Sequence, residues 1–245
     1  MFKAVKFLSA YDLQLMFYCK IGSETQFSFQ DGKLDYFFHS YNNYRITERT
    51  IEIPIIGYYL KKLTPKNVLE IGNVSNHYYD FFRKIRPDNT DVVDKYEKGF
   101  NVINQDIADY HPDKKYDFVF SISTFEHMDE DRRVQSAITE KREECNTCVA
   151  IENMKYVVNQ LLQQGSTFII TIPLGQSPEF DISFLRGDLK EITCKSYQTY
   201  LMVRTSELKW IQSFEQIKEI PHYPESIKNS KFVGVNHLLV IKINT

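Results

Sequence analysis

Three acidic residues stand where a ligand site needs them. Glu70, Asp94 and Asp106 lie within or at the end of short apolar runs at 67–71, 91–94 and 102–106. Such runs read as buried strands. In a parallel sheet their carboxyl ends meet on one edge, the edge at which open α/β sheets bind ligands. The step from Glu70 to Asp94 is close to the roughly 20 residues at which an acid reaches ribose hydroxyls, and Asp106 is placed to accept from an amino group on a ring. Gly72 supplies a turn where backbone can approach a ligand closely. It is a solitary glycine in Gly72-Asn73-Val74-Ser75-Asn76, whereas a loop that wraps a pyrophosphate needs GxGxxG and no acid beside it. Glu70 repels phosphate and suits a cation. A second group, Glu126-His127, follows a fourth apolar run. A histidine there can take a proton from a hydroxyl near neutral pH, or the pair can simply begin the next helix. Ser121, Ser123 and Phe125 are placed to line the same mouth. His77 follows the glycine loop, and Arg49 and Glu52 stand one helical turn apart, either facing the pocket or forming a surface pair.

Positioning these groups requires alternating strands and helices. A helix is expected from Thr47, capped by that residue with Glu48 in its first turn. Pro54 is expected to kink or split it, and Ile55, Ile56, Tyr59, Leu60 and Leu63 form its apolar face. After the first strand come a short helix at 77–85, strands at 91–94, 102–106 and 116–123, and a helical region over 129–164. The latter carries Ile151, Met154, Val157, Val158, Leu161 and Leu162 on one side and is closed by Gly165. A strand at 167–172 is stopped by Pro173. This alternation predicts a parallel sheet. Beyond Leu174 the pattern gives a helix at 181–189, strands at 196–204 and 209–212, and a last strand at 235–243. Before Thr47, a hairpin about Asp31-Gly32 and an aromatic polar loop at 39–44 belong to an N-terminal extension, 1–46, ahead of a main domain, 47–245.

The bulk numbers set bounds. A chain of 245 residues, 42% apolar and 25% charged, suits one soluble α/β domain with additions. A net charge of −2 without a Lys/Arg run argues against nucleic acid as a partner. Lys3, Lys6, Asp12 and Gln14 interrupt the apolar patches of the first twenty residues, which gives neither a signal-peptide core nor a membrane span and leads to an expected cytoplasmic location. Cys19, Cys145, Cys148 and Cys194 make no disulfide framework. The CxxC of Cys145 and Cys148 lacks the second pair a zinc site needs, so no metal is expected. Sixteen Tyr and 18 Phe reflect composition bias or a platform on which a sugar stacks.

Read in order, Val-Leu-Glu-Ile-Gly (68–72), Asp-Val-Val-Asp-Lys-Tyr-Glu (91–97), Val-Ile-Asn-Gln-Asp (102–106), Tyr-Asp-Phe-Val-Phe-Ser-Ile-Ser-Thr-Phe-Glu-His (116–127) and Leu-Leu-Gln-Gln-Gly-Ser-Thr-Phe-Ile-Ile-Thr-Ile-Pro-Leu-Gly (161–175) resemble class I S-adenosylmethionine-dependent methyltransferases over residues 47–175. The stretch Glu-Arg-Thr-Ile-Glu-Ile-Pro (48–54) is similar to a segment of one bacterial, archaeal and viral branch, some of whose members are associated with surface-glycan synthesis. The resemblance implies an α/β, Rossmann-like doubly wound, mostly parallel seven-stranded sheet with helices on both faces, ending in a reversed hairpin. It implies S-adenosyl-L-methionine as cofactor, whose sulfonium and ammonium match the acids, held by Glu70, Gly72, Asn73, Asp94, Lys95, Asp106, Ile107, Ser121 and Ser123. Glu126 and His127 would be catalytic, and His77, Arg49 and Glu52 would touch the acceptor, a sugar or glycan hydroxyl or another small molecule. Two departures stand out. The usual GxGxG is reduced to Gly72, and a metal-binding Glu-x-x-Glu-His has Ser123 at its first position. Two other functions remain in view. One is a non-catalytic methyltransferase-like scaffold, favoured by the altered loop. The other is a nucleotide-sugar or dinucleotide enzyme, opposed by Glu70 and the missing glycines.

Overall fold

The computed structural model describes residues 25–42, 46–130, 148–205, 209–215, 217–220 and 235–245. The central apolar runs, 68–71, 116–122 and 166–173, become strands buried on both faces, whereas the run at 102–103, on the sheet edge, is part exposed. In chain order the elements are β1 (Gln26–Phe29), β2 (Gly32–Asp35), α1 (Arg49–Leu63), β3 (Val68–Ile71), α2 (Tyr79–Phe82), β4 (Thr90–Val93), β5 (Val102–Ile103), β6 (Tyr116–Ile122), α3 (Val149–Tyr156), β7 (Leu162–Pro173), α4 (Pro178–Arg186), β8 (Ser196–Arg204), β9 (Trp210–Ser213) and β10 (His237–Asn244).

The main sheet has the order β5-β4-β3-β6-β7-β10-β8-β9. From β3 the chain moves outward through β4 and β5, then crosses back to β6 on the other side. That reversal between β3 and β6 is where a crevice opens in a doubly wound sheet. The first five strands in this order are mutually parallel. β10 inserts antiparallel between β7 and β8, and β9 pairs antiparallel with β8. The fold is thus Rossmann-like α/β, but the sheet has eight strands rather than seven. The added strand arises because Trp210 to Ser213 pair along Arg204 to Leu201.

Period-two alternation sends neighbouring residues to opposite faces. Leu69, Ile71, Val119 and Ile170 pack with Ile151, Met154 and Leu161 on one face. Val68, Phe118, Phe120 and Ile122 pack on the other with Ile51, Ile55, Tyr59 and the hairpin residues Phe27 and Phe29. Among the described residues, no helix is long and apolar enough to cross a membrane.

Three local expectations are corrected. Thr47 does not cap α1. The helix begins at Arg49, the Thr47 carbonyl accepts from the Thr50 amide (3.1 Å), and its hydroxyl has no partner. Pro54 does not split the helix, which runs 15 residues through it. A proline's missing N–H leaves the carbonyl four residues earlier unbonded; here that is Thr50, and the amide of Phe37 fills the gap at 3.0 Å. Gly165 does not close a helix, because α3 passes into a π turn that ends at Leu161 and β7 begins at Leu162. The segment 131–147, and with it Cys145 and part of the expected 129–164 helix, lies outside the described residues, as do Cys19 and the first 24 residues.

Phe120 is fully buried at the centre of the sheet, stacked on Phe82 with ring centroids 6.1 Å apart. Phe120→Ala is expected to lower unfolding free energy by about 3–5 kcal/mol in urea titrations. A loss below about 1 kcal/mol would contradict this packing.

Candidate functional site

A crevice of about 380 Å³ opens at the carboxyl ends of β3, β4, β5 and β6. Its lining gathers Gly72, Asn73 and Val74 after β3, Asp94 to Glu97 after β4, Gln105 to Ile107 after β5, and Ser123, Thr124, His127, Met128 and Glu130 after β6. Val149 and Asn153 of α3 complete it.

Gly72 holds φ at +91°, in a region that favours glycine, and its amide donates to the Val93 carbonyl at 2.8 Å. A β-carbon there would overlap the Thr124 hydroxyl. Glycine therefore lets the β3 and β6 loops meet at the crevice floor. Asp94 fixes the neighbouring wall: its carboxylate accepts from the amides of Asn73 (3.0 Å), Tyr96 (2.9 Å) and Glu97 (2.7 Å). Asp106 accepts from the Ala108 amide at 3.0 Å and pairs with Lys95 at 3.0 Å. Four carboxylates (Asp94, Glu97, Asp106, Glu130) thus line the crevice together with Lys95, paired to Asp106, and His127, bonded to Glu130, which gives it an excess of negative charge.

His127 sits at the rim, half exposed, with Nδ1 2.6 Å from a Glu130 carboxylate oxygen and Nε2 3.7 Å from Glu126. Glu126 itself is buried behind the wall, and one of its oxygens has no hydrogen-bond partner. Burial, reinforced by Glu52 and Glu48, pushes its pKa well above the usual carboxylate range, so it favours the neutral form.

Arg49 and Glu52 also lie behind the wall. They form a pair at 2.5 Å, and the other Glu52 oxygen accepts from Ser123 (2.7 Å) and Thr171 (2.6 Å). Ser123 is held at φ 41°, a left-handed conformation unusual for a residue with a side chain. Its amide bonds the Thr171 carbonyl at 3.0 Å.

Of the residues singled out from sequence, the crevice gathers Gly72, Asn73, Asp94, Lys95, Asp106, Ile107, Ser123 and His127. Glu70, Ser121, Glu126, Arg49, Glu52 and His77 stand outside its lining. Ser121 donates to the Ile71 carbonyl at 2.8 Å inside the sheet. His77 stacks on Tyr41 (4.5 Å) and bonds Glu97 (2.7 Å), one layer behind the wall. Glu70 lies on the face opposite Ile71. It is fully buried, accepts from the Ser75 amide at 2.6 Å and from the Ser75 hydroxyl, and lies 3.4 Å from Arg86. The negative charge that lines the crevice therefore comes from Asp94, Glu97, Asp106 and Glu130 rather than from Glu70. Sequence reasoning passed over Glu97, Thr124, Glu130 and Asn153. Thr124 and Glu130 flank Glu126-His127 closely enough to have been included, whereas Asn153 comes from a distant helix with no motif of its own. Among the described residues, no group of His, Cys, Asp or Glu is arranged to hold a metal.

No protein-family model matches the chain, and no curated protein matches it. Solved structures do resemble it. N-methyltransferase NodS from Bradyrhizobium japonicum WM9, in complex with S-adenosyl-L-homocysteine, is 12% identical with a TM-score of 0.42, covering 77% of this chain and 83% of that one. The plantazolicin methyltransferase BpumL, also in complex with S-adenosyl-L-homocysteine, is 16% identical with a TM-score of 0.42 over 78% and 81%. A SAM-dependent methyltransferase from Archaeoglobus fulgidus is 17% identical with a TM-score of 0.44 over 78% and 94%.

Burial, opposed by Ser75 and Arg86, pushes the Glu70 carboxyl up to about 7 from its ordinary 4.5. Below pH 4.5 the group is protonated in both folded and unfolded chains. As pH rises from there through 7, the unfolded chain ionises first and the folded state loses ground. The loss is on the order of 3 kcal/mol. Urea unfolding of the parent and Glu70→Gln at pH 5 and pH 8 should show the parent losing on the order of 2–3 kcal/mol more than the variant across that interval; parallel pH profiles would contradict it.

Proposed function

We propose that this chain is a cytoplasmic S-adenosylmethionine-dependent methyltransferase that O-methylates a hydroxyl of a sugar, a glycan or another small acceptor. The supporting observation is the crevice itself: four carboxylates against Lys95 and His127, at the carboxyl edge of parallel strands, beside a glycine whose turn leaves backbone open to close approach. Such a lining opposes a pyrophosphate and suits a ligand that carries a sulfonium and an ammonium. In this reading Asp94 holds ribose hydroxyls with the lone pairs its three amides leave free. Asp106 and Ile107 border the adenine, and Gly72, Asn73 and Ser123 border the methionine portion. The exposed ring of Tyr96 offers a flat apolar face at the same mouth.

When bound, S-adenosylmethionine supplies its methyl group as an electrophile to an attacking oxygen. The protein's contribution is orientation and a proton acceptor. Glu130 accepts the Nδ1 proton of His127, which leaves Nε2 to take the proton of the acceptor hydroxyl. Glu126, kept toward its neutral form by burial, does not draw His127 into a permanent ion pair. Glu52 and Arg49 act from behind by fixing Ser123.

Calorimetry and a methyl-transfer assay against candidate glycans test this directly. Asp94→Asn, which keeps one acceptor oxygen for the Tyr96 and Glu97 amides and gives up the one that takes Asn73, should weaken S-adenosylmethionine and S-adenosylhomocysteine at least about tenfold. His127→Ala should lower kcat about 100-fold with cofactor affinity unchanged. Absence of heat with either nucleoside at high protein concentration would point to a scaffold, and tighter binding of NAD would point to a dinucleotide enzyme; either result ends the proposal.

A further inference from the structure

We propose that a second groove, between β2 and α1, binds an extended acidic peptide by adding it as a strand to the free edge of β2. The groove encloses about 470 Å³ and shares no lining residue with the crevice. Its backbone is arranged for pairing. β1 and β2 form a two-stranded sheet, so among the described residues β2 has an edge without a strand beside it. The Tyr36 amide donates inward to the Thr25 carbonyl at 3.0 Å, in register with Gln26 opposite Asp35 and Ser28 opposite Lys33. Hydrogen-bonded pairs alternate along an antiparallel ladder. The N–H and C=O groups of Lys33 and Asp35 therefore point outward. The next outward amide, Phe37, bonds Thr50 of α1, which shows that this edge faces the helix.

Side chains state what kind of peptide fits. Phe37 and Phe81 make an apolar floor, their ring centroids 4.9 Å apart. Gly57 lies directly under Phe81, where a β-carbon would come within 2.7 Å of the ring, and its lack of a side chain keeps the floor open. Lys33, Lys61 and Lys62 rim the groove and are exposed, with Asp35 the acid among its lining residues. At roughly 3.3 Å per residue, the run from Lys33 to Asp35, ahead of the Phe37 amide that Thr50 already occupies, pairs with about three residues of partner strand. Alternate side chains of that strand face the floor and the rim, so the favoured partner alternates apolar or aromatic residues with acids. Main-chain pairing supplies affinity and the two surfaces supply selectivity.

Fluorescence anisotropy with a labelled random glutamate–tyrosine copolymer, and with a lysine–tyrosine copolymer as control, tests the site without reference to methyl transfer. The acidic copolymer should bind and the basic one should not. Lys61→Glu/Lys62→Glu should weaken binding at least about tenfold. Asp35→Asn removes a negative charge and should leave binding unchanged or tighter, whereas Asp35→Pro removes the outward amide and should weaken it at least about tenfold. Should Asp35→Pro lose its circular dichroism, hydrogen exchange on the parent decides: the copolymer must slow the amides of Lys33 and Asp35. Equal binding to Asp35→Pro and the parent, with no such protection, reduces the effect to charge attraction and overturns the proposal. So does a parent dimer in sedimentation that Asp35→Pro abolishes, since the edge then serves a second copy of this chain.

Discussion

One buried carboxylate organises the approach to the crevice. Glu52 stands on α1, fully enclosed, and takes its hydrogen bonds from Arg49 on its own helix, Ser123 at the end of β6 and Thr171 within β7. A charge in such a place persists only when paired and fully hydrogen-bonded, so the three donors and the carboxylate require one another. Ser123 carries the consequence. Its left-handed backbone costs on the order of 1–2 kcal/mol, offset by its side-chain bond to Glu52 and its amide bond to Thr171. That turn carries the chain from the sheet into the segment that lays Thr124 over Gly72 and brings His127 to the rim.

Charge is distributed unevenly across this wall. On the crevice side the carboxylates are solvated, tied to backbone amides, or paired with Lys95 and His127. On the buried side Arg49 pairs with Glu52 and acts on both Glu48 and Glu126. Three ionised carboxylates around one guanidinium in a low-dielectric interior would repel strongly, and Glu126 relieves this by favouring its protonated form. The crevice side keeps its negative charge, while behind it burial and mutual repulsion push Glu48 and Glu126 toward their neutral forms.

Much of this arrangement was legible in the chain, for reasons that can be named. Runs buried on both faces, such as 116–122, leave a continuous apolar signature, and acids just past such runs, Asp94 and Asp106, point to the carboxyl edge by topology alone. Glu70 stays out of the crevice lining because it lies within its strand rather than after it. Alternation with Val68 sends it to the face shared with Phe118 and Phe120, and that parity was available in the sequence. The extent of β7 was hidden, since Gly165 at φ 81° reads locally as a helix stop although it lies within a strand. The stack of His77 on Tyr41 and the arrival of Asn153 at the crevice depend on contacts between distant segments, and nothing local records those.

Pro54 carries a lesson about how parts of this chain are bound together historically. A proline in the sixth position of a helix leaves an enclosed carbonyl unmet, and here the donor comes from the exit of the hairpin, some seventeen positions earlier in the chain. Neither feature is tolerable in isolation: the proline needs the visiting amide, and the amide needs that carbonyl. Descendants of this sequence that shed the hairpin should therefore also have replaced the proline, and the two would be inherited or discarded as a unit.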